Sequence, residues 1–216
     1  LHPQLPQIYL AFEIALLSFG ALGLVDDLFG NRKIGGLRGH FTELIKHKRL
    51  TTGAAKAIGA AVFSVFIGVL LYPRNAERAL IAALLVALSA NAINLTDTRP
   101  GRSLIAFFLL LFVGMLIAHL RGTTSLLALY MGPILIAVLL YSFDRRALLM
   151  LGDVGSNTIG AIAGLYWAIA GTEASQIALL VVLMWFHWWT ESHSLSKTIE
   201  TTTWLKKLDS SIGVRG

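Results

Sequence analysis

Apolar residues in this chain come in long blocks, not in strict alternation or narrow helical stripes. Seven blocks run at 5–25, 53–72, 79–95, 103–119, 126–143, 156–171 and 174–189. A helix needs about 20 apolar residues to cross a bilayer, and several blocks fall a little short. Turn formers separate them: Pro73, Pro100 with Gly101, Gly122 and Gly171. Pro133 lies inside the fifth block, where a kink is expected; membrane helices tolerate one. The pattern predicts an all-α, polytopic integral membrane protein with about seven transmembrane helices. It forms a single domain over 1–216, with an amphipathic insertion at 28–52 and a tail at 190–216. Within the insertion, Leu37, Phe41, Leu44 and Ile45 recur at helical spacing, apart from Arg38, Lys46, Lys48 and Arg49. In the tail, Ile199, Leu205, Leu208 and Ile212 repeat the theme. Such helices lie in a membrane interface or pack on the protein.

Composition supports the same class. The chain is 56% hydrophobic and 14% charged, with mean hydropathy +0.70, against about 25% charged in soluble domains. Disorder is excluded by this apolar excess, and a disulfide scaffold by the absence of cysteine. A net charge of +6 would ordinarily suggest nucleic acid. Placing each charge removes that partner. Arg32, Lys33, Arg38, Lys46, Lys48, Arg49 and Lys56 fall on one side of the predicted spans. Arg99, Arg102, Arg145, Arg146, Lys197, Lys206, Lys207 and Arg215 join them, making 15 of the 18 basic residues. Only Arg74, Arg78 and Arg121 fall on the other. The positive-inside rule makes the basic side cytoplasmic, with residue 1 outside and residue 216 inside. The expected partner of the basic face is the lipid bilayer. Residues 1–6 lack a basic n-region, so no signal peptide is read there, and further N-terminal spans are expected upstream.

The acidic residues are the more informative charges. Asp26 and Asp27 end the first span, Asp97 the third and Asp144 the fifth, and Asp153 precedes the sixth. All five lie on the basic side, beside the bilayer. Adjacent carboxylates raise each other's pKa unless a cation is near. Oxygen ligands from several loops, with no cysteine, favour Mg²⁺ or Mn²⁺ over zinc. Asp144, beside Arg145 and Arg146, reads as a solvated loop acid. Asn91, Asn94 and Asp97 are spaced by three and share one face of a helix end. The two asparagine amides suit a metal, a phosphate or a base, though Asn91 equally suits a helix–helix contact. In the string Gly152-Asp153-Val154-Gly155-Ser156-Asn157, Gly155 permits close backbone approach and Ser156 is expected to cap the sixth helix. The helix start would favour a phosphate, to which Asp153 could bring the metal. Lys56 opens the second span and either neutralises phosphate or snorkels to the interface. Glu13, near the middle of the first span, reads as a protonated acid packed between helices. Trp167, Trp185, Trp188 and Trp189 read as interface anchors.

In this order, Gly23-Leu24-Val25-Asp26-Asp27, the string 91–97 and the string 151–156 resemble one family. It is the polyprenyl-phosphate N-acetylhexosamine-1-phosphate transferases, glycosyltransferase family 4. The chain resembles a shorter, divergent member. The resemblance implies a Mg²⁺-dependent phosphosugar-1-phosphate transferase of the bacterial cytoplasmic membrane, serving cell-wall biogenesis. Such an enzyme moves phospho-N-acetylhexosamine from a UDP-N-acetylhexosamine to polyprenyl phosphate and releases UMP. By position, Asp153 and Asn94 would hold the metal. Asp26 and Asp27 would organise the lipid phosphate or take its proton, and Asp97 would support the nucleotide or metal site. Lys56 matches a lysine that contacts the pyrophosphate. Asn91, Gly155, Ser156 and His187 are expected to contact substrate, and a homodimer is a candidate assembly.

The chain also departs from the family. Pro100 stands where many members carry a second acid, so Arg99 and Arg102 are expected to take a phosphate instead. The late histidine loop is reduced to His187 and His193, and seven spans replace about ten. Two alternatives therefore stay open. One is an inactive family member acting as a membrane partner; the other is a cation or proton transporter using Glu13.

Overall fold

A computed structural model describes residues 3–30, 51–120, 122 and 127–214. The amphipathic insertion predicted around 37–49 lies outside the described residues. All seven apolar blocks are helices: α1 (Leu5–Phe29), α2 (Thr52–Leu71), α3 (Ala76–Thr96), α4 (Arg102–Leu120), α5 (Leu127–Asp144), α6 (Gly152–Ala170) and α7 (Glu173–Thr190). Two short helices follow, α8 (Leu195–Thr201) and α9 (Thr203–Ile212). Among the described residues there is no strand.

Among the described residues four helices, α1 to α4, are long and apolar enough to cross a membrane. The described apolar stretch of α5, Tyr130–Asp144, is shorter. Polar side chains interrupt the other two: Asp153, Ser156 and Asn157 on α6, and Glu173, Gln176 and His187 on α7.

The bundle is organised around α6. It packs against α3, α1 and α4, while α2 joins α1 to α3 and α7 lies on α3. From Ile159 to Ala170 every residue of α6 is buried. Small residues make this possible. A Cβ on Gly160 would stand 2.6 Å from the Ser89 carbonyl oxygen, and one on Gly164 would stand 2.4 Å from that of Leu85. Glycines four apart thus let two helix backbones touch, the usual means of close packing between membrane helices. At the far end of the bundle the Tyr72 hydroxyl donates to the Ala168 carbonyl at 2.8 Å. Trp167 is 4% exposed and donates its indole N–H to the Leu110 carbonyl at 2.8 Å. It is therefore a core residue and not an interface anchor, because Gly114 leaves room for its ring. Trp185 and Trp188 do face outward.

Two further readings change. Glu13 is exposed on the outer face of α1 and not packed between the described helices. Asp144 is fully buried and accepts the Gly101 N–H at 2.6 Å. Its neighbours Arg145 and Arg146 point outward instead of holding it in solvent.

Candidate active site

Antiparallel alternation brings the ends of α1, α3, α5 and α7 to the same end of the bundle as the starts of α2, α4 and α6. The three strings meet there. Asp26 and Asp27 lie in the last turn of α1, which continues past them to Phe29. Lys56 stands one turn inside α2, whose start is capped by the Thr51 hydroxyl accepting from the Ala54 N–H. Its ammonium bridges two helices, pairing with Asp26 at 2.8 Å and with Asp153 of α6.

The start of α6 differs from expectation. The helix begins at Gly152, so Ser156 is a full turn inside and does not cap it. The cap comes from another helix. The Asp27 carboxylate accepts the N–H groups of Asp153 and Val154, each at 3.1 Å. A carboxylate of the chain thus occupies the position proposed for a phosphate, and the helix dipole favours it there. Gly152 has φ +61°, and a Cβ on it would stand 2.9 Å from the Asp27 carboxylate. Ser156, fully buried, donates to Asn94 Oδ1 at 2.7 Å and links α6 to α3. Asn157 donates to the Asp153 carbonyl at 2.6 Å.

A cavity of about 430 Å³ opens beside this network. Asp26, Lys56, Asn91, Asn94, Asn157 and His187 give it a polar side, and Phe19 with alanines of α2 and α3 an apolar one. His187 is buried; its Nδ1 meets the Leu183 carbonyl at 2.7 Å, while Nε2 has no hydrogen-bond partner among the described residues. The sequence offered no role for Asn157, Thr190 or Glu191, which also line the space. Only the i+4 spacing of Asn157 from Asp153 hinted at one.

Asp97 ends α3 and accepts the Ser103 hydroxyl at 2.7 Å. Burial pushes its carboxyl up to about 6; the Ser103 hydroxyl and the Gly152 backbone oppose the rise, and the Asp144 and Asp153 charges add to it. Arg99 and Arg102 are not brought to the cavity. Arg99 donates to Glu200 at 3.2 Å on the surface. Arg102 is 6% exposed and forms a two-pronged pair with Asp209 of α9, at 2.7 and 2.9 Å. Its remaining nitrogen donates to Thr98 and Ser196 at 2.9 and 2.8 Å. The guanidinium therefore fastens the tail to the loop after Asp97.

Among the described residues no group of three His, Cys, Asp or Glu side chains converges as a metal cage. The donor set fits a different mode. Mg²⁺ is usually held by one or two carboxylates with water and substrate phosphate completing its shell. Asp153 and the Asn94 amide oxygen are donors of that kind; here Asp153 pairs with Lys56 and Asn94 Oδ1 accepts from Ser156.

The family model for glycosyl transferase family 4 matches residues 9–172. That span runs from Tyr9 of α1 through α6 and includes every cluster residue described so far except His187, Thr190, Glu191 and the tail. No curated protein and no solved structure matches the chain.

Proposed function

The chain belongs to glycosyl transferase family 4, and from that premise we propose that it transfers phospho-N-acetylhexosamine from a UDP-sugar to polyprenyl phosphate. The reading places the reaction at the cytoplasmic face of a bacterial inner membrane, in a chain crossing it seven times with residue 1 outside. One observation carries it: Lys56 held between Asp26 and Asp153 at a cavity that is polar on one side and apolar on the other. Such a site serves one soluble substrate and one lipid.

The lipid phosphate oxygen forms a bond to the β-phosphorus. The bond from that phosphorus to the bridging oxygen breaks, and UMP departs with the electron pair. Asp26 takes the proton if the lipid phosphate arrives protonated. Lys56 sits where charge develops on the departing phosphate, and a preorganised cation there lowers the barrier. Phosphoryl transfer needs such positioning more than a protein nucleophile. Asp153 and Asn94 would hold Mg²⁺, which neutralises pyrophosphate charge when bound. Asn91, Asn157 and His187 supply polar contacts along the cavity, and its alanine wall accepts the first prenyl units.

The test is UMP release by the purified full-length protein given UDP-N-acetylhexosamine, polyprenyl phosphate and Mg²⁺. Release that depends on both substrates is expected. UDP-sugar binding without UMP would replace this reading with that of an inactive membrane partner.

A further inference from the structure

The tail offers a surface that the reaction does not use. α9 has an apolar arc, and the protein covers only half of it. Leu205 and Ile212 are half-buried, and Asp209 beside them holds Arg102. Tyr141 donates to the Ile212 carbonyl at 2.9 Å, and the Val214 N–H donates to the Arg145 carbonyl at 2.8 Å. These bonds fix the rotation of the helix. They leave Trp204 at 67% and Leu208 at 55% exposure, one turn apart on the uncovered half. Lys207 is exposed beside the Trp204 edge of the arc, and Lys206, also exposed, lies on the far side of the helix. The loop between α5 and α6, tied to the tail through Arg145, likewise exposes Leu148 and Met150.

This arrangement lies where α4 begins and α5 ends, at the rim of the apolar bundle. Trp at a rim, a leucine one turn on and a lysine at the flank match a helix lying in a bilayer interface. We propose that α9 docks on an anionic lipid surface, with Trp204 and Leu208 in the headgroup boundary and Lys207 on lipid phosphate. The opposite charge comes from the leaflet, since most of the described basic residues, Arg99, Arg145, Arg146 and Lys197 among them, gather at this end. Docking is independent of which reaction the cavity performs. It also anchors Asp209, and through Arg102 the loop that follows Asp97.

The absence of cysteine allows a direct test. Leu208→Cys, Trp204→Cys and Ser210→Cys variants of the full-length protein each carry an environment-sensitive fluorophore in nanodiscs. The discs contain phosphatidylglycerol and lipids bearing a quencher near the headgroup. Strong quenching at 208 and 204 is expected, with none at 210, which lies on the opposite side of α9. Lys207→Gln should weaken quenching at 208, as should replacing the anionic lipid by phosphatidylcholine. Equal, water-like signals at all three positions would overturn the proposal. So would quenching at 208 that is unchanged in neutral discs.

Discussion

Asp27 caps the helix that carries Asp153, accepting its backbone N–H at 3.1 Å from a position 126 residues earlier. One carboxylate of the adjacent pair is thereby structural, and the other faces Lys56 and the cavity. Asp27→Ala removes the cap and leaves two N–H groups of α6 without it. The expected cost is about 1–2 kcal/mol, read as a lower melting temperature in detergent. Turnover should fall with it, because Asp153 rides on that turn. An unchanged melting temperature would refute the capping role.

Lys56 separates two carboxylates that would otherwise face each other. Lys56→Gln should lower UMP release by about 10²–10³-fold, the loss usual for a preorganised charge-stabilising group. The same change should tighten Mn²⁺ binding measured by paramagnetic resonance, since Asp26 and Asp153 lose their internal cation. Chelation of divalent metal should stop turnover in the unmodified protein.

Asp97 gives the pH dependence. Its folded-state pKa of about 6 stands above the ordinary 3.8. Between these values the folded state holds the proton more tightly than the unfolded state. The contribution of Asp97 to stability is therefore greatest below pH ~4 and declines until about pH 6, then levels. Melting temperatures of the unmodified protein and Asp97→Asn, measured from pH 4 to 7, should differ by a pH-dependent term of that sign. A constant difference would remove the assignment.

The Arg102–Asp209 pair is buried on both sides, at 5% and 10% side-chain exposure. Arg102→Met alone leaves Asp209 charged and buried without its partner, at an expected cost of about 3–5 kcal/mol. Arg102→Met with Asp209→Leu should cost much less, because no lone charge remains. Denaturation of the two variants checks the coupling. Equal losses would mean that the pair does not act as a unit.

The long apolar blocks made the helices legible, since hydrocarbon length sets their period. The site strings were legible because acids beside a bilayer are conspicuous. What sequence could not show was which acid meets which cation. Arg102 stands near Asp97 in the chain, yet its partner is Asp209, 107 residues away. Asp144 stands beside two arginines, yet it turns inward to the Gly101 N–H. Ser156 has the chemistry of a cap, yet the helix starts a turn earlier because a carboxylate from α1 caps it. Nearest-neighbour charge is a poor guide where loops fold back over helix ends. Trp167 misled for a related reason, because a glycine on another helix decided its burial.

The sealed position of α6 has a consequence for how the protein is made. A helix that carries Asp153 and Asn157 in its first two turns, has glycine or alanine at 8 of its 19 positions and is enclosed from Ile159 onward gains little from entering lipid alone. It must arrive at a ready-made slot. During synthesis α1, α3 and α4 emerge first and can form that slot before α6 leaves the ribosome. Chain order therefore also serves as assembly order, and a circular permutation placing α6 first should impair membrane insertion even with every contact of the finished bundle preserved.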